Sequence, residues 1–305
     1  MILLMEGSDM FTPKSGSSDR AMRILVPTDL SAFGDLALRY ALLFRESLGA
    51  KLTFLFADEI SWLAEEHPLG YYFENVSDAR KALLQRLRDY AATHAPDADT
   101  LFVDDAPETA IVQTARDIDA DLIIMGTHGR RGIRRALLGS VAEYVLRETD
   151  VPVITVNPRR FRSDVTAAIR TILCPVNFTE IARSALEKAS DLAKTFDAQL
   201  VVMHVCEGSE PQISSDVQNE FRAWVNPLVR ANTRYSEVVV HGDAAAAVLA
   251  VADQIDADLL VIGAQHRRFA DTTVAGTTTE RITRYAKHAV MTVIRKESAA
   301  KAAAA

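Results

Sequence analysis

The chain has 305 residues, enough for two domains, with about half of them apolar and a quarter charged. Its formal net charge of -7 argues against nucleic acid as the main partner. No apolar run is long enough to cross a bilayer. The two cysteines, Cys174 and Cys206, are too few for a disulfide framework and fit a reducing, cytoplasmic compartment.

Residues 1–21 read as a flexible tail rich in Ser, Gly and Asp. The apolar start Met1-Ile2-Leu3-Leu4-Met5 lacks the basic flank of a signal peptide. Arg23-Ile24-Leu25-Val26-Pro27 reads as a strand stopped by proline, followed by the turn Thr28-Asp29-Leu30-Ser31. Ser31 is suited to cap the helix that follows. Leu36, Ala37, Tyr40, Ala41 and Phe44 recur at helical spacing, and Gly49 ends that helix. Lys51 to Ala57 is a second strand. A long segment, Asp58 to Asn75, carries Trp62, Tyr71, Tyr72 and Phe73 and suits a lid or an interface. Residues 76–94 read as a charged amphipathic helix, 101–103 as a short strand, and Pro107 to Ile118 as a helix with proline in its first turn. Asp121 to Met125 is a buried strand, Val141 begins a helix, and Val151 to Val156 is the last strand of the set. Uniformly apolar strands alternating with helices imply a parallel sheet covered on both faces.

The pattern then repeats. Thr171-Ile172-Leu173-Cys174-Pro175-Val176-Asn177-Phe178-Thr179 echoes Arg23 to Ser31, and Gln199 to Val205 echoes the second strand. Glu237 to His241 gives a third strand. Asp258 to Gly263 mirrors Asp121 to Gly126, Gly276-Thr277 opens the matching helix, and Val290 to Ile294 closes the set. A repeat of ~140 residues means two copies of one domain. Their boundaries are set at 22–157 and 170–296, with a linker at 158–169 and a tail at 297–305.

Between strand and helix in the first copy lies Gly126-Thr127-His128-Gly129-Arg130-Arg131-Gly132, continuing to Gly139-Ser140. Such a loop suits phosphate. Free N–H groups at a helix start point at an anion, the helix dipole favours negative charge there, and glycine permits close approach. A glycine, two residues, a glycine, nine residues and Gly-Ser is the spacing met by Gly126, Gly129, Gly139 and Ser140. With the opening Val26-Pro27-Thr28-Asp29-Leu30-Ser31, the chain resembles the universal stress protein family in its tandem form.

That resemblance implies an α/β fold of two tandem Rossmann-like (adenine nucleotide alpha-hydrolase-like) domains. Each is a five-stranded parallel sheet with helices on both faces, and the two pack as a pseudo-dimer through their last strands. It implies ATP or AMP at the C-terminal ends of the strands. Pro27, Thr28 and Asp29 would face the adenosine, and Phe56 would pack near the base. Met125 and Gly126 would line the adenine side. Gly129, Gly139, Ser140 and Val141 would hold ribose and phosphate, with Arg130 adding a charged contact. Asp58 and Glu59 are candidates to hold Mg²⁺. For Asp29 a local turn-capping carboxylate is an equal alternative. Phe56 as plain core is the stronger reading of that residue alone.

The second copy departs. His266 stands in the place of Gly129, and Asn177 in the place of Asp29, while Gly263, Gly276 and Thr277 keep the spacing. Weaker nucleotide binding, none, or a different ligand follows for this half. His204, Cys206, His241 and His266 fall toward one sheet edge. Unrelated polar residues with a buried thiol outweigh a zinc site there. Three functions stay open: an adenine-nucleotide-binding stress-response sensor or regulator, a slow metal-dependent ATP hydrolase, and a structural or interaction protein with a vestigial site. No lysine-bearing phosphate loop and no nucleophile–base pair is present, so no catalytic residue is assigned. A homodimer of whole chains is a further expectation; a membrane partner is not.

Overall fold

Strands that are apolar at every position need cover on both sides, and the structure provides it. The computed structural model describes residues 20–31, 34–57, 73–127, 138–157, 168–207, 214–264 and 278–294, with the backbone alone at 73–77 and 79. The first half runs β1 (Arg23–Pro27), α1 (Asp35–Leu48), β2 (Lys51–Ala57), α2 (Phe73–His94), β3 (Asp99–Val103), α3 (Pro107–Asp117), β4 (Leu122–Gly126), α4 (Ser140–Glu148) and β5 (Val153–Val156). The second runs β6 (Thr171–Val176), α5 (Glu180–Phe196), β7 (Gln199–Cys206), α6 (Ser215–Val225), β8 (Tyr235–His241), α7 (Ala244–Gln254), β9 (Leu259–Ala264), α8 (Thr278–Tyr285) and β10 (Ala289–Ile294).

These strands form one sheet in the order β3-β2-β1-β4-β5-β10-β9-β6-β7-β8. Pairing within each half is parallel. The halves join where β5 and β10 run antiparallel, Ile154 opposite Met291. The last strands therefore meet as a continuous backbone ladder, which removes two open edges.

The two faces of the sheet are built differently. One carries a single core running through both halves, with Ile24, Phe44 and Phe54 from the first and Ile172, Leu186 and Phe221 from the second. The other carries separate cores, one around Leu25, Ile123 and Val145 and one around Leu173, Val248 and Leu260. The seam on the shared face is α1 against α5. Phe44 and Phe196 meet edge-to-face with ring centroids 5.2 Å apart. The Tyr40 hydroxyl donates to the Asp258 carbonyl at 2.8 Å. Burial first, and Asp258 second, push the Tyr40 phenol above its ordinary range, so it remains a donor.

One local expectation is corrected. The cap of α1 is Gly34, not Ser31. The Ser31 hydroxyl is committed elsewhere, donating to Asp29 Oδ1 at 2.6 Å. At the other end Gly49 takes φ 62°, the left-handed close expected of a helix-ending glycine. Among the described residues, no helix is long and apolar enough to cross a membrane.

Candidate functional site

In an open α/β sheet the ligand crevice lies beyond the C-terminal strand ends, where the chain order reverses. In the first half that point is between β1 and β4, which are neighbours despite their separation in sequence. The ends of these strands are Pro27-Thr28-Asp29 and Met125-Gly126-Thr127, so topology brings two of the sequence-selected clusters together.

The β1 end is a self-braced turn. Thr28 N–H donates to the Leu55 carbonyl at 2.9 Å, tying the turn to β2. Leu30 N–H donates to Thr28 Oγ1 at 3.0 Å. Asp29 Oδ1 accepts from Ser31 N–H at 3.0 Å and from its hydroxyl. Leu30 has φ 57°, a left-handed conformation that costs a non-glycine residue of order 1–2 kcal/mol. Asp29 thus does what the local reading assigned to it. Tyr90 of α2, which the sequence reading did not single out, stands against this turn. Burial first, then the charge of Asp35, raises its phenol to about 12, while a hydrogen bond with Thr28 opposes the rise. Its helical spacing with the buried Leu87 and Ala91 was the available signal.

The β4 end is a close clamp. Thr127 is buried, and its N–H donates to the Val156 carbonyl at 3.0 Å. Its own carbonyl accepts from Gly139 N–H at 2.9 Å, closing the two ends of the loop on each other. A Cβ at Gly139 would lie 2.4 Å from that carbonyl oxygen. Gly139 is extended (φ -73°), so close approach, not a special φ, demands glycine here. Gly139 is also the cap of α4 and supplies no side-chain hydrogen bond, so the N–H groups at Ser140 and Val141 have no side-chain cap. Ser140 is exposed and Val141 half-buried. Gly129 and Arg130 lie outside the described residues, as do Asp58, Glu59 and the aromatic run to Tyr72.

Phe56 and Met125 fall on opposite faces of the sheet. Phe56 belongs to the shared core and stacks on Phe102 with centroids 5.7 Å apart, beneath the Arg80 guanidinium. Met125 belongs to the core under α3 and α4.

The second half repeats the turn. Phe178 takes φ 59°, as Leu30 does in the first half. Asn177 Oδ1 accepts from the Thr179 hydroxyl at 2.8 Å. Thr179, Ser214 and Asp243 cap α5, α6 and α7 with their own side chains. Gly263 has a packing reason of its own: a Cβ there would meet the Ile181 carbonyl oxygen at 2.9 Å. Gly276, Thr277 and His266 lie outside the described residues. His204 Nδ1 donates to the Val176 carbonyl at 3.0 Å, and its ring packs on Phe178 and Phe221 with centroids 4.6 and 5.9 Å apart. No three metal-ligating groups converge among the described residues.

Comparison with known proteins agrees with this architecture. A universal stress protein from Archaeoglobus fulgidus superposes with a TM-score of 0.69 over 90% of this chain and 97% of its own, at 23% identity. A universal stress protein of Methanocaldococcus jannaschii is 29% identical over 44% of this chain and 81% of its own length. A Na(+)/H(+) antiporter of Synechocystis sp. is 31% identical over 66% of this chain, which spans only 29% of the antiporter's length. The Universal stress protein family matches twice, over residues 21–157 and 168–293. The chain therefore belongs to the universal stress protein family, with two copies of its domain in tandem.

Proposed function

We propose that this chain is a regulatory stress-response protein that binds one adenine nucleotide, ATP or AMP, at the β1–β4 crevice of its first half. The observation that carries this reading is the start of α4. Gly139 lies against the Thr127 carbonyl where no side chain fits, and it leaves the helix N-terminus without a side-chain cap. An N-terminus in that state suits a phosphate. The β1 turn supplies the other wall, held rigid by the Asp29, Ser31 and Thr28 hydrogen bonds. In the second half His266 stands in the place of Gly129 and Asn177 in the place of Asp29, which supports a single nucleotide per chain.

The domain boundaries near 157 and 170 frame this division of labour. No nucleophile–base pair is assigned at this crevice, and the reading is of a sensor. Isothermal titration with ATP and with AMP tests it. Saturable binding is expected for the unsubstituted chain. Gly129→Trp, which fills the loop with a side chain, should weaken it by at least about tenfold, ~1.4 kcal/mol. No heat with the unsubstituted chain, or equal affinity in the variant, would sink the reading.

A further inference from the structure

A second feature lies at the outer edge of the second half, away from the nucleotide crevice. Both ring nitrogens of His241 are buried and have no hydrogen-bond partner. A buried polar group left unpaired costs stability, and native proteins supply a partner, a water or an ion. Cys206 is the residue beside it. β7 and β8 pair in parallel with Cys206 opposite His241, an inter-strand spacing of ~4.8 Å, and paired residues present their side chains on one face.

That face is the one α6 covers. His204, two positions before Cys206, packs on Phe221 of α6. Glu237, on the same face of β8 as His241, bonds Arg222 of α6 at 3.1 Å. Gly242 N–H donates to the Cys206 carbonyl at 3.2 Å and fixes the strand ends relative to each other. Cys206 itself is a free, half-buried thiol.

We propose that Cys206 and His241 form a binding site for one soft monovalent cation, of which Cu(I) is the representative. The coordination number decides the metal. Zinc takes four ligands in structural sites and three from protein in catalytic ones. Among the described residues no such group of three exists. A thiolate with one imidazole suits Cu(I), which soft sulfur ligands select. Binding exchanges the thiol proton for the cation, the proton passing to solvent; no electron is transferred. The metal gives the buried imidazole the partner that the protein does not. Cys174 does not compete, because it is fully buried and burial pushes its thiol above the ordinary range.

The test is a titration of the full chain with Cu(I), under ascorbate, against a chromophoric Cu(I) chelator. One equivalent per chain should be retained. Cys206→Ser and His241→Phe should each weaken retention by about 100-fold or more. Metal-free His241→Phe should melt no lower than the unsubstituted chain, since its ring keeps the volume and removes the unpaired nitrogens. If that variant does not fold, Cys206→Ser and His241→Gln carry the comparison. No stoichiometric retention by the unsubstituted chain would overturn the proposal. So would equal retention in the His241 variants, which would reduce the site to a thiol alone.

Discussion

Phe44→Ala is expected to destabilise the folded chain by roughly 3–5 kcal/mol, the cost of emptying a fully buried aromatic site. Phe44 has no exposed surface and belongs to the core that both halves share. Its ring is met edge-to-face by Phe196 of the other half, a contact that adds about 0.5–1.5 kcal/mol beyond area burial. The effect should therefore reach across the seam. Denaturant unfolding followed separately by Trp224 fluorescence, in a Trp62→Phe background, and by far-ultraviolet circular dichroism checks it. Both probes should report one destabilised transition, because the sheet and the shared core are continuous through β5 and β10. A second half that unfolds at its original midpoint while the first is destabilised would show that the seam does not couple them.

Gly139→Ala is the second large effect, and it separates stability from binding. The new methyl would stand 2.4 Å from the Thr127 carbonyl oxygen, which belongs to the backbone and cannot swing away. Either the loop ends part, losing the Gly139 N–H to Thr127 bond, or α4 shifts. Overpacking of this kind costs about 1–3 kcal/mol. Because the displaced groups are the proposed phosphate donors, nucleotide binding should also be lost. Gly263→Ala is the control. It crowds the Ile181 carbonyl oxygen in the second half less severely, at 2.9 Å, so it should lower stability to a smaller extent while leaving the first-half titration intact. Retained affinity in Gly139→Ala, measured below its melting transition, would remove α4 from the site.

Much of this molecule was legible in its residues. The strands β1, β4 and β9 are apolar runs that reach Pro27, Gly126 and Gly263 at or next to their ends, and they lie where those runs do. The repeat between Arg23 to Ser31 and Thr171 to Thr179 extends to backbone detail that letters do not show, with Leu30 and Phe178 sharing the left-handed conformation. The cap of α1 was misread because Ser31 had two eligible uses, and the carboxylate of Asp29 took its hydroxyl. Short-range capping rules do not rank such competitors. β3 and β8 begin earlier than their apolar residues suggest. Asp99 and Tyr235 pair with strands whose registers are set from within the sheet. The single core on one face, and the role of Tyr90 beneath the β1 turn, depend on which helices meet across the halves; no local pattern encodes that. Phe56 and Met125 stand on the same side of the strand ends in sequence logic, yet period-two alternation sends them to opposite faces.

The loop from Gly126 to Ser140 carries the central claim, that one half is built to hold a nucleotide and its copy is not. Native mass spectrometry of the full chain with saturating ATP counts the outcome directly. The account predicts one nucleotide per chain, with occupancy reduced in Gly129→Trp when ATP is held near the Kd of the unsubstituted chain. Two nucleotides per chain, or none, would contradict it.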